Sequence, residues 1–173
     1  MRLYNRSMKV SAQEEYGLRC LLQMTRLGTE ESLSIAEISR AEGLSVPNVA
    51  KLMRILRLGG LVRSVRGQAG GYVLARPAED ITMDQVLQVL GGPLFGTRFC
   101  ELHTGIERTC TRRRDCSIRP VWFKMQELVV EVLARTSLKD LLRDEAQMRE
   151  WIANTADNRR DCKRDVLATT NSH

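Results

Sequence analysis

The sequence is poor in aromatic residues and contains no long apolar run. Tryptophan, tyrosine and phenylalanine make up 5% of the 173 residues. No apolar stretch approaches the roughly 20 residues that a membrane-spanning helix needs, and the first ten residues lack the apolar segment of a secretory signal. We therefore expect a protein that acts in the cytoplasm, without a membrane span.

Sequence motifs of several enzyme classes are also missing. There is no G-x-S-x-G motif, no phosphate-binding P-loop and no G-x-G-x-x-G motif, and the glycine-rich segment 67–71 is too short and lies in a predicted hairpin. Because no catalytic set emerges, we expect that the protein is not an enzyme. The composition is that of a globular protein, with 43% hydrophobic and 28% charged residues, and the length suits one small domain with an additional helical element.

The first half of the chain carries a helix-turn-helix pattern. Apolar residues at helical spacing predict helices over 11–27, 33–42 and 45–58, each followed by glycine. Two β-like segments, 61–66 and 72–75, flank a glycine-rich turn and predict a hairpin, or wing. The predicted fold class is therefore mainly α, namely a winged helix-turn-helix with a two-stranded wing, a cysteine-bearing loop and a long dimerisation helix.

Basic residues without acidic neighbours occupy the third helix and the wing. The segment from Ser45 to Arg76 contains six Lys or Arg residues and no Asp or Glu. A surface that approaches DNA phosphates has to supply cations and exclude carboxylates, and Arg, Lys and Asn can read base edges. We therefore predict binding to double-stranded DNA; the alternative is a solvated charged face on a structural hairpin. The candidate contacts are Ser45, Asn48, Lys51, Arg54, Arg63 and Arg66.

The second half of the chain is predicted to contain two further helices around a segment with little periodicity. Thr82 and Gln85 form a capping-box pattern for a helix through Leu90, and a long helix is predicted over 120–134. Apolar residues of the long helix repeat at spacings that suit packing against another helix, either within the chain or in a second copy of it. These residues are Val121, Met125, Leu128 and Val132.

Three of the five cysteines, Cys100, Cys110 and Cys116, fall in the segment between those helices. An odd number of cysteines in a chain without an export signal is not typical of disulfides, so these thiols indicate a metal or redox site. Three thiolates on one segment suit an iron–sulfur cluster or another soft metal. The paired cysteine spacing of most structural zinc sites is absent. A zinc site, a set of free thiols and a redox switch are the alternatives.

Three cysteines leave one ligand position of such a site unassigned. His103 lies inside the same segment, whereas Cys20 in the first helix is more typical of a small buried residue. Glu15 lies on the same helical stripe as Leu18, so its carboxylate is expected at the edge of the buried surface. Its alternative role is an ion pair with Arg19, four residues later.

These patterns divide the chain into four predicted regions. Residues 8–92 are expected to form the winged helix-turn-helix domain, 93–119 the cluster-binding loop, 120–153 the dimerisation helices and 154–173 a flexible tail. Within the third region, Thr136 is expected to cap a second helix that extends through Trp151.

Four short segments form a recognisable set. They are Met8–Ser11 (MKVS), Leu44–Pro47 (LSVP), Gly60–Gly67 (GLVRSVRG) and Gly70–Pro77 (GGYVLARP). Together they resemble the Rrf2 family of bacterial winged-helix regulators, which includes IscR-type and NsrR-type proteins. The similarity extends from about Met8 to Leu142, and the wing segment is its most specific part.

The resemblance implies a homodimer that binds a palindromic operator, with the third helix in the major groove and the wing in the minor groove. It also implies an iron–sulfur cluster of two or four irons whose state alters operator affinity. The three loop cysteines of the family match Cys100, Cys110 and Cys116. Cluster supply, iron, nitric oxide and redox state are the signals of different members.

Two departures from the family pattern affect the fourth ligand. The spacing between the first two loop cysteines is longer than in most IscR-type and NsrR-type proteins, and Arg119 replaces the IscR-type histidine three residues after the last cysteine. NsrR-like members use a carboxylate from the first helix, which a partner chain can supply. Counted from Met8, this position is Glu15, so Glu15 is the preferred fourth ligand and His103 the alternative.

Overall fold

The computed structural model describes residues 10–28, 31–67, 70–92 and 115–154. Seven helices and strands with defined bounds follow each other in this part of the chain: α1 (Ala12–Leu27), α2 (Ile35–Glu42), α3 (Val46–Leu58), β1 (Val62–Val65), β2 (Gly71–Leu74), α4 (Met83–Leu90) and α5 (Ile118–Arg135). Short 3₁₀ turns cover Ala78–Asp80 and Asp140–Leu142, and residues 145–154 are helical. Among the described residues, no helix is both long and apolar enough to cross a lipid bilayer.

Capping boxes fix the start of three helices. Ser11 and Glu14 exchange side-chain and backbone hydrogen bonds at the start of α1, and the same arrangement opens α2 and α4. Thr82 and Gln85 form the box of α4, as the sequence predicts. Because these bonds satisfy backbone donors that have no partner within the helix, each start is locally determined.

Apolar side chains of α1 to α4 and of the wing base form one core. Leu138, which follows α5, is also fully buried in this core, so the chain returns to the first domain after its long helix. The division at 92, 119 and 153 stays a prediction, although Leu138, which belongs to the predicted third region, packs in the core of the first. Other fully buried core residues are Leu21, Met24, Ile38, Leu52, Met53, Leu56, Leu61, Ile81 and Val86.

The turn between α2 and α3 is compact. Gly43 adopts the left-handed conformation with φ 64°, which lets the amide of Leu44 donate to the Ser39 carbonyl at 3.1 Å. The Ser39 hydroxyl in turn donates to the Leu44 carbonyl at 2.5 Å. Ser45 occupies the N-cap position of α3, but its side chain makes no capping bond. The helix-turn-helix geometry therefore depends on the turn itself.

The wing is a two-stranded antiparallel hairpin in which Val62 pairs with Leu74. A third segment supports it, because Leu33 and Tyr72 exchange two backbone hydrogen bonds of 2.9 and 2.8 Å. Gly71 permits this approach, since a Cβ atom there would lie 2.5 Å from the Leu33 carbonyl oxygen. Leu33 therefore belongs to the wing support, although the sequence pattern placed it in the second helix.

The region after α4 differs from the sequence prediction in two respects. The long helix begins at Ile118, two residues earlier than predicted. Thr136 does not start the next helix: it is the C-cap of α5, is 2% exposed, and accepts a backbone hydrogen bond from Met83 at 2.7 Å. The prediction for Thr136 was wrong because this tertiary contact decides its position. The helical residues 145–154 instead follow Asp144, whose side chain accepts from the Gln147 amide at 2.8 Å.

Candidate DNA-binding surface and metal ligands

The polar face of α3 points to solvent, as the sequence predicts. Ser45, Lys51 and Arg54 are exposed and Asn48 is half-buried. The opposite face, formed by Val49, Leu52, Met53 and Leu56, is fully packed in the core. Core packing therefore orients α3 with one continuous polar stripe outwards.

The wing adds two arginines to this stripe of exposed cations. Along β1, Val62 is 2% exposed and turned inwards, whereas Arg63 is exposed, and Arg66 is exposed just after the strand ends. Val62 and Arg63 point to opposite faces because successive side chains of a strand alternate, and Ser64 is exposed as well. The backbone connects this hairpin closely to α3, because the Leu61 amide donates to the Leu56 carbonyl at 3.0 Å.

Within the described part of the chain, no carboxylate neutralises the cations of this surface. Ion pairs between described residues involve basic residues outside this surface, namely Arg19, Lys124, Arg135, Lys139, Arg143 and Arg149. In the same part of the chain, Lys51, Arg54, Arg63 and Arg66 take part in none of these ion pairs. Their charges remain available to a polyanion, which suits contact with phosphate groups.

An ion pair that sequence reasoning missed joins α1 to the end of α2. Arg19 Nε donates to Glu42 Oε2 at 2.7 Å, and its Nη2 donates to the Glu42 carbonyl at 2.8 Å. The hydrogen bond to Glu42 raises the pKa of Arg19. Gln23 also donates to the Glu42 carboxylate. Arg19 therefore forms its ion pair with Glu42, which is 23 residues away in sequence. The nearby charge of Glu15 also raises the pKa of Arg19, but as a weaker influence than Glu42.

Only part of the predicted ligand set falls within the described residues. Cys100, Cys110 and His103 lie outside them. Cys116 is a half-buried free thiol just before α5, and Glu15 is exposed on α1. No three His, Cys, Asp or Glu side chains come together as a metal site within the described ranges. The exposure of Glu15 leaves its carboxylate accessible to a ligand or a second chain.

Cys20 does not share the properties of a metal ligand. Its side chain is fully buried in the core, and burial raises the pKa of the thiol to about 11. Metal ligation and nucleophilic chemistry require the thiolate, which this environment disfavours. Cys20 is therefore a packing residue, as the sequence predicts.

Comparisons with known proteins agree with this architecture. The sequence profile of the Rrf2 family, described as an iron-dependent transcriptional regulator, matches residues 10–144. Protein rrf2 of Nitratidesulfovibrio vulgaris is 33% identical over 142 residues, which cover 79% of this chain and 89% of that protein.

Two solved structures share the fold. The structure of T. potens IscR matches with a TM-score of 0.64 and 34% identity, covering 81% of this chain and 91% of that chain. The structure of CymR, the global cysteine regulator of Bacillus subtilis, matches with a TM-score of 0.64 and 30% identity, covering 79% and 98%. The predictions of a winged-helix fold and of a protein that is not an enzyme are confirmed. The chain belongs to the Rrf2 family and is a DNA-binding transcriptional regulator.

Proposed function

We propose that this regulator reads an operator through α3 and the wing, with an affinity that depends on an iron–sulfur cluster. The observation that carries the DNA-binding part is the exposed surface of cations on these two elements, which form no ion pair with any other described residue. Arg54 and Lys51 are suited to guanine edges and Asn48 to adenine, while Ser45 lies at the helix start, where phosphates bind. Arg63 and Arg66 suit a narrow minor groove. DNA binding would take place in the cytoplasm.

Cys100, Cys110 and Cys116 are the proposed thiolate ligands of the cluster, and Glu15 is the proposed fourth ligand with His103 as the alternative. The donor chemistry fits, because thiolates are the usual ligands of iron–sulfur clusters. A carboxylate is a harder and more labile ligand for iron than a thiolate, which suits a sensor. When bound, the cluster supplies a centre that responds to iron, oxidants or nitric oxide.

A homodimer built on α5 is the proposed assembly. None of the 18 residues of α5 is buried in the single chain. The four seam residues Val121, Met125, Leu128 and Val132 are 53%, 37%, 47% and 42% exposed. Pairing of this seam with a second copy would remove apolar surface from water. It would also relate the two α3 helices, one from each chain, by a two-fold axis, as a palindromic operator requires.

Regulation follows from the position of the proposed ligands on separate elements. Cys116 directly precedes α5, and Glu15 is carried by α1, which packs against α3. A cluster bound by both residues would connect α5 to the DNA-binding domain of the same chain or of its partner. A coupling of about 1–3 kcal/mol between ligation and operator binding would change affinity by roughly 5-fold to 150-fold.

Anaerobic purification followed by iron and sulfide analysis tests this function. We expect a coloured protein whose visible absorption is lost in Cys110→Ala, together with a change in operator affinity. Cys162, the fifth cysteine, lies outside the segment that carries the three proposed ligands. Cys162→Ala is therefore the matched control, and it should keep both properties. If Cys110→Ala retains colour and affinity, the cluster assignment is wrong.

A thiol-responsive regulator without a cluster is the second candidate. The observation that favours it is the similarity to CymR, which is named a global cysteine regulator. A colourless protein with free thiols, whose operator affinity changes on oxidation, would support this candidate. A colourless protein that contains zinc would instead indicate a structural metal site.

A further inference from the structure

Arg76 differs from the other basic residues of the segment from Ser45 to Arg76. Its Nε donates to the main-chain carbonyl of Asp80 at 3.2 Å, and its Nη2 donates to Oε1 of Gln85 at 2.7 Å. These two hydrogen bonds connect the residue that follows the wing to the 3₁₀ turn and to α4. Within the described chain, the side chains of the other five basic residues make no hydrogen bond or ion pair. These five are Lys51, Arg54, Arg57, Arg63 and Arg66.

Gln85 connects Arg76 to the junction where α4 begins and α5 ends. The same Oε1 atom accepts from the Thr82 amide at 3.3 Å, as part of the capping box of α4. At this junction, the Met83 amide donates to the Thr136 carbonyl at 2.7 Å, and the Leu138 amide donates to the Ile81 carbonyl at 2.8 Å. The guanidinium of Arg76 therefore fastens the wing exit to a backbone junction shared by both helices.

The entry of the wing is held by a different element. The Leu61 amide donates to the Leu56 carbonyl of α3, and the Ala75 amide donates to the Leu61 carbonyl, both at 3.0 Å. The hairpin is thus tied to the recognition helix at its entry and to the α4–α5 junction through Arg76 at its exit. Two separate attachments fix the direction of a hairpin better than one.

We propose that Arg76 is a positioning residue, which sets the orientation of the wing arginines relative to α3 and α5, and is not a phosphate contact. The inference uses only the DNA-binding function of the chain and does not depend on a cofactor. Arginine suits this role because its planar guanidinium holds several donors in a rigid fork and can reach two acceptors at once. A lysine at this position would keep the positive charge but would lack the fork.

Two substitutions that keep every charge of the surface separate a positioning role of Arg76 from a charge effect. The probe is a fluorescent DNA duplex selected from a randomised pool by the wild-type protein. We expect Arg76→Lys to weaken binding at least about tenfold, as for one lost hydrogen bond to a charged group. Gln85→Met, which leaves every charge in place, should weaken binding to the same extent. The double variant Arg76→Lys/Gln85→Met should bind no more weakly than either single variant.

The same substitution in a protein without wing contacts distinguishes positioning from general destabilisation. In the background Arg63→Ala/Arg66→Ala, Arg76→Lys should cause no further loss, whereas reduced folding would weaken binding equally in both backgrounds. Gln88→Met, an exposed substitution on the same helix, is the control and should bind as the wild type does. Thermal unfolding of each variant verifies that it is folded. Wild-type affinity of Arg76→Lys, or an equal loss in both backgrounds, would overturn the proposal.

Discussion

Glu42 is held by Arg19 although the two residues lie on different helices. The Arg19 guanidinium contacts both the side chain and the main-chain carbonyl of Glu42, at 2.7 and 2.8 Å. The Glu42 side chain is only 9% exposed, whereas that of Arg19 is 38% exposed. Because Glu42 is the last residue of α2 and precedes the Gly43 turn, this pair fixes the start of the segment that leads to α3.

Neutralising Glu42 should therefore destabilise the helix-turn-helix. Glu42→Gln keeps the shape of the side chain but turns one acceptor into a donor that faces Arg19 or Gln23. We expect a loss of about 1–3 kcal/mol in the free energy of unfolding, which urea titration measures. Glu127→Gln is the control, since its pair with Lys124 is exposed on both sides and should contribute little. Equal effects of the two substitutions would contradict this account of the α1–α2 contact.

Gly71→Ala should loosen the wing specifically. The added methyl group would meet the Leu33 carbonyl oxygen and the Ser34 amide nitrogen, both of which are backbone atoms that cannot rotate away. We expect a loss of about 1–3 kcal/mol, with faster hydrogen exchange at the Tyr72 amide. Gly43→Ala, where the φ of 64° is strained but no atom lies within 4 Å, should cost about 1 kcal/mol. In that control, exchange at Tyr72 should stay unchanged.

Local signals explain which parts of the fold are predictable from the sequence. The starts of α1 and α4 follow from capping boxes within four residues of sequence, and the buried face of α3 follows from its apolar spacing. Leu33 and Thr136 were assigned to the wrong elements, because a contact with a distant backbone segment decides each position. No local pattern reports such contacts.

The candidate site shows the same limit. The exposure of Lys51, Arg54 and Arg63 follows from helical and strand periodicity, so it was predictable. Arg76 belongs to the same acid-free segment, yet its partners Asp80 and Gln85 are known only from the folded chain. The proposed ligands Glu15 and His103 stay predictions, because they derive from spacing and from family resemblance.

Removal of one wing arginine should change the salt dependence of DNA binding. Each phosphate contact releases counterions, so Arg63→Ala should reduce the magnitude of the slope of log K against log salt by about one unit per protomer, or about two units for the proposed homodimer. Arg149→Ala is the control, because this arginine lies outside α3 and the wing, on the helical segment 145–154, and pairs with Glu145. An unchanged slope in Arg63→Ala would exclude a phosphate contact by the wing at this position.

Glu15→Gln should distinguish the two candidates for the fourth ligand. The amide cannot replace the negatively charged carboxylate, so we expect faster loss of visible absorption after anaerobic reconstitution. His103→Ala should leave the rate of loss unchanged if Glu15 is the ligand. Glu31→Gln, an exposed glutamate just after α1, is a control for the charge change. The reverse outcome, with loss in His103→Ala alone, would reassign the ligand to His103.

Burial of Cys20 should make stability fall at alkaline pH. The pKa of its thiol is raised from 9.0 to about 11 in the folded protein, so the folded state binds a proton more tightly than the unfolded chain. The associated stability is therefore complete below pH 9 and is lost as the pH rises towards about 11. The expected loss is about 3 kcal/mol at most.

Urea unfolding of the wild type and of Cys20→Ala between these pH values measures the loss. Other groups that titrate in this range contribute equally to both proteins, so the difference between the two pH slopes isolates Cys20. The substitution also leaves a small cavity, which lowers stability at every pH without changing the slope. Parallel curves for the two proteins would show that Cys20 is not desolvated in the folded core, and they would reopen its role as a reactive thiol.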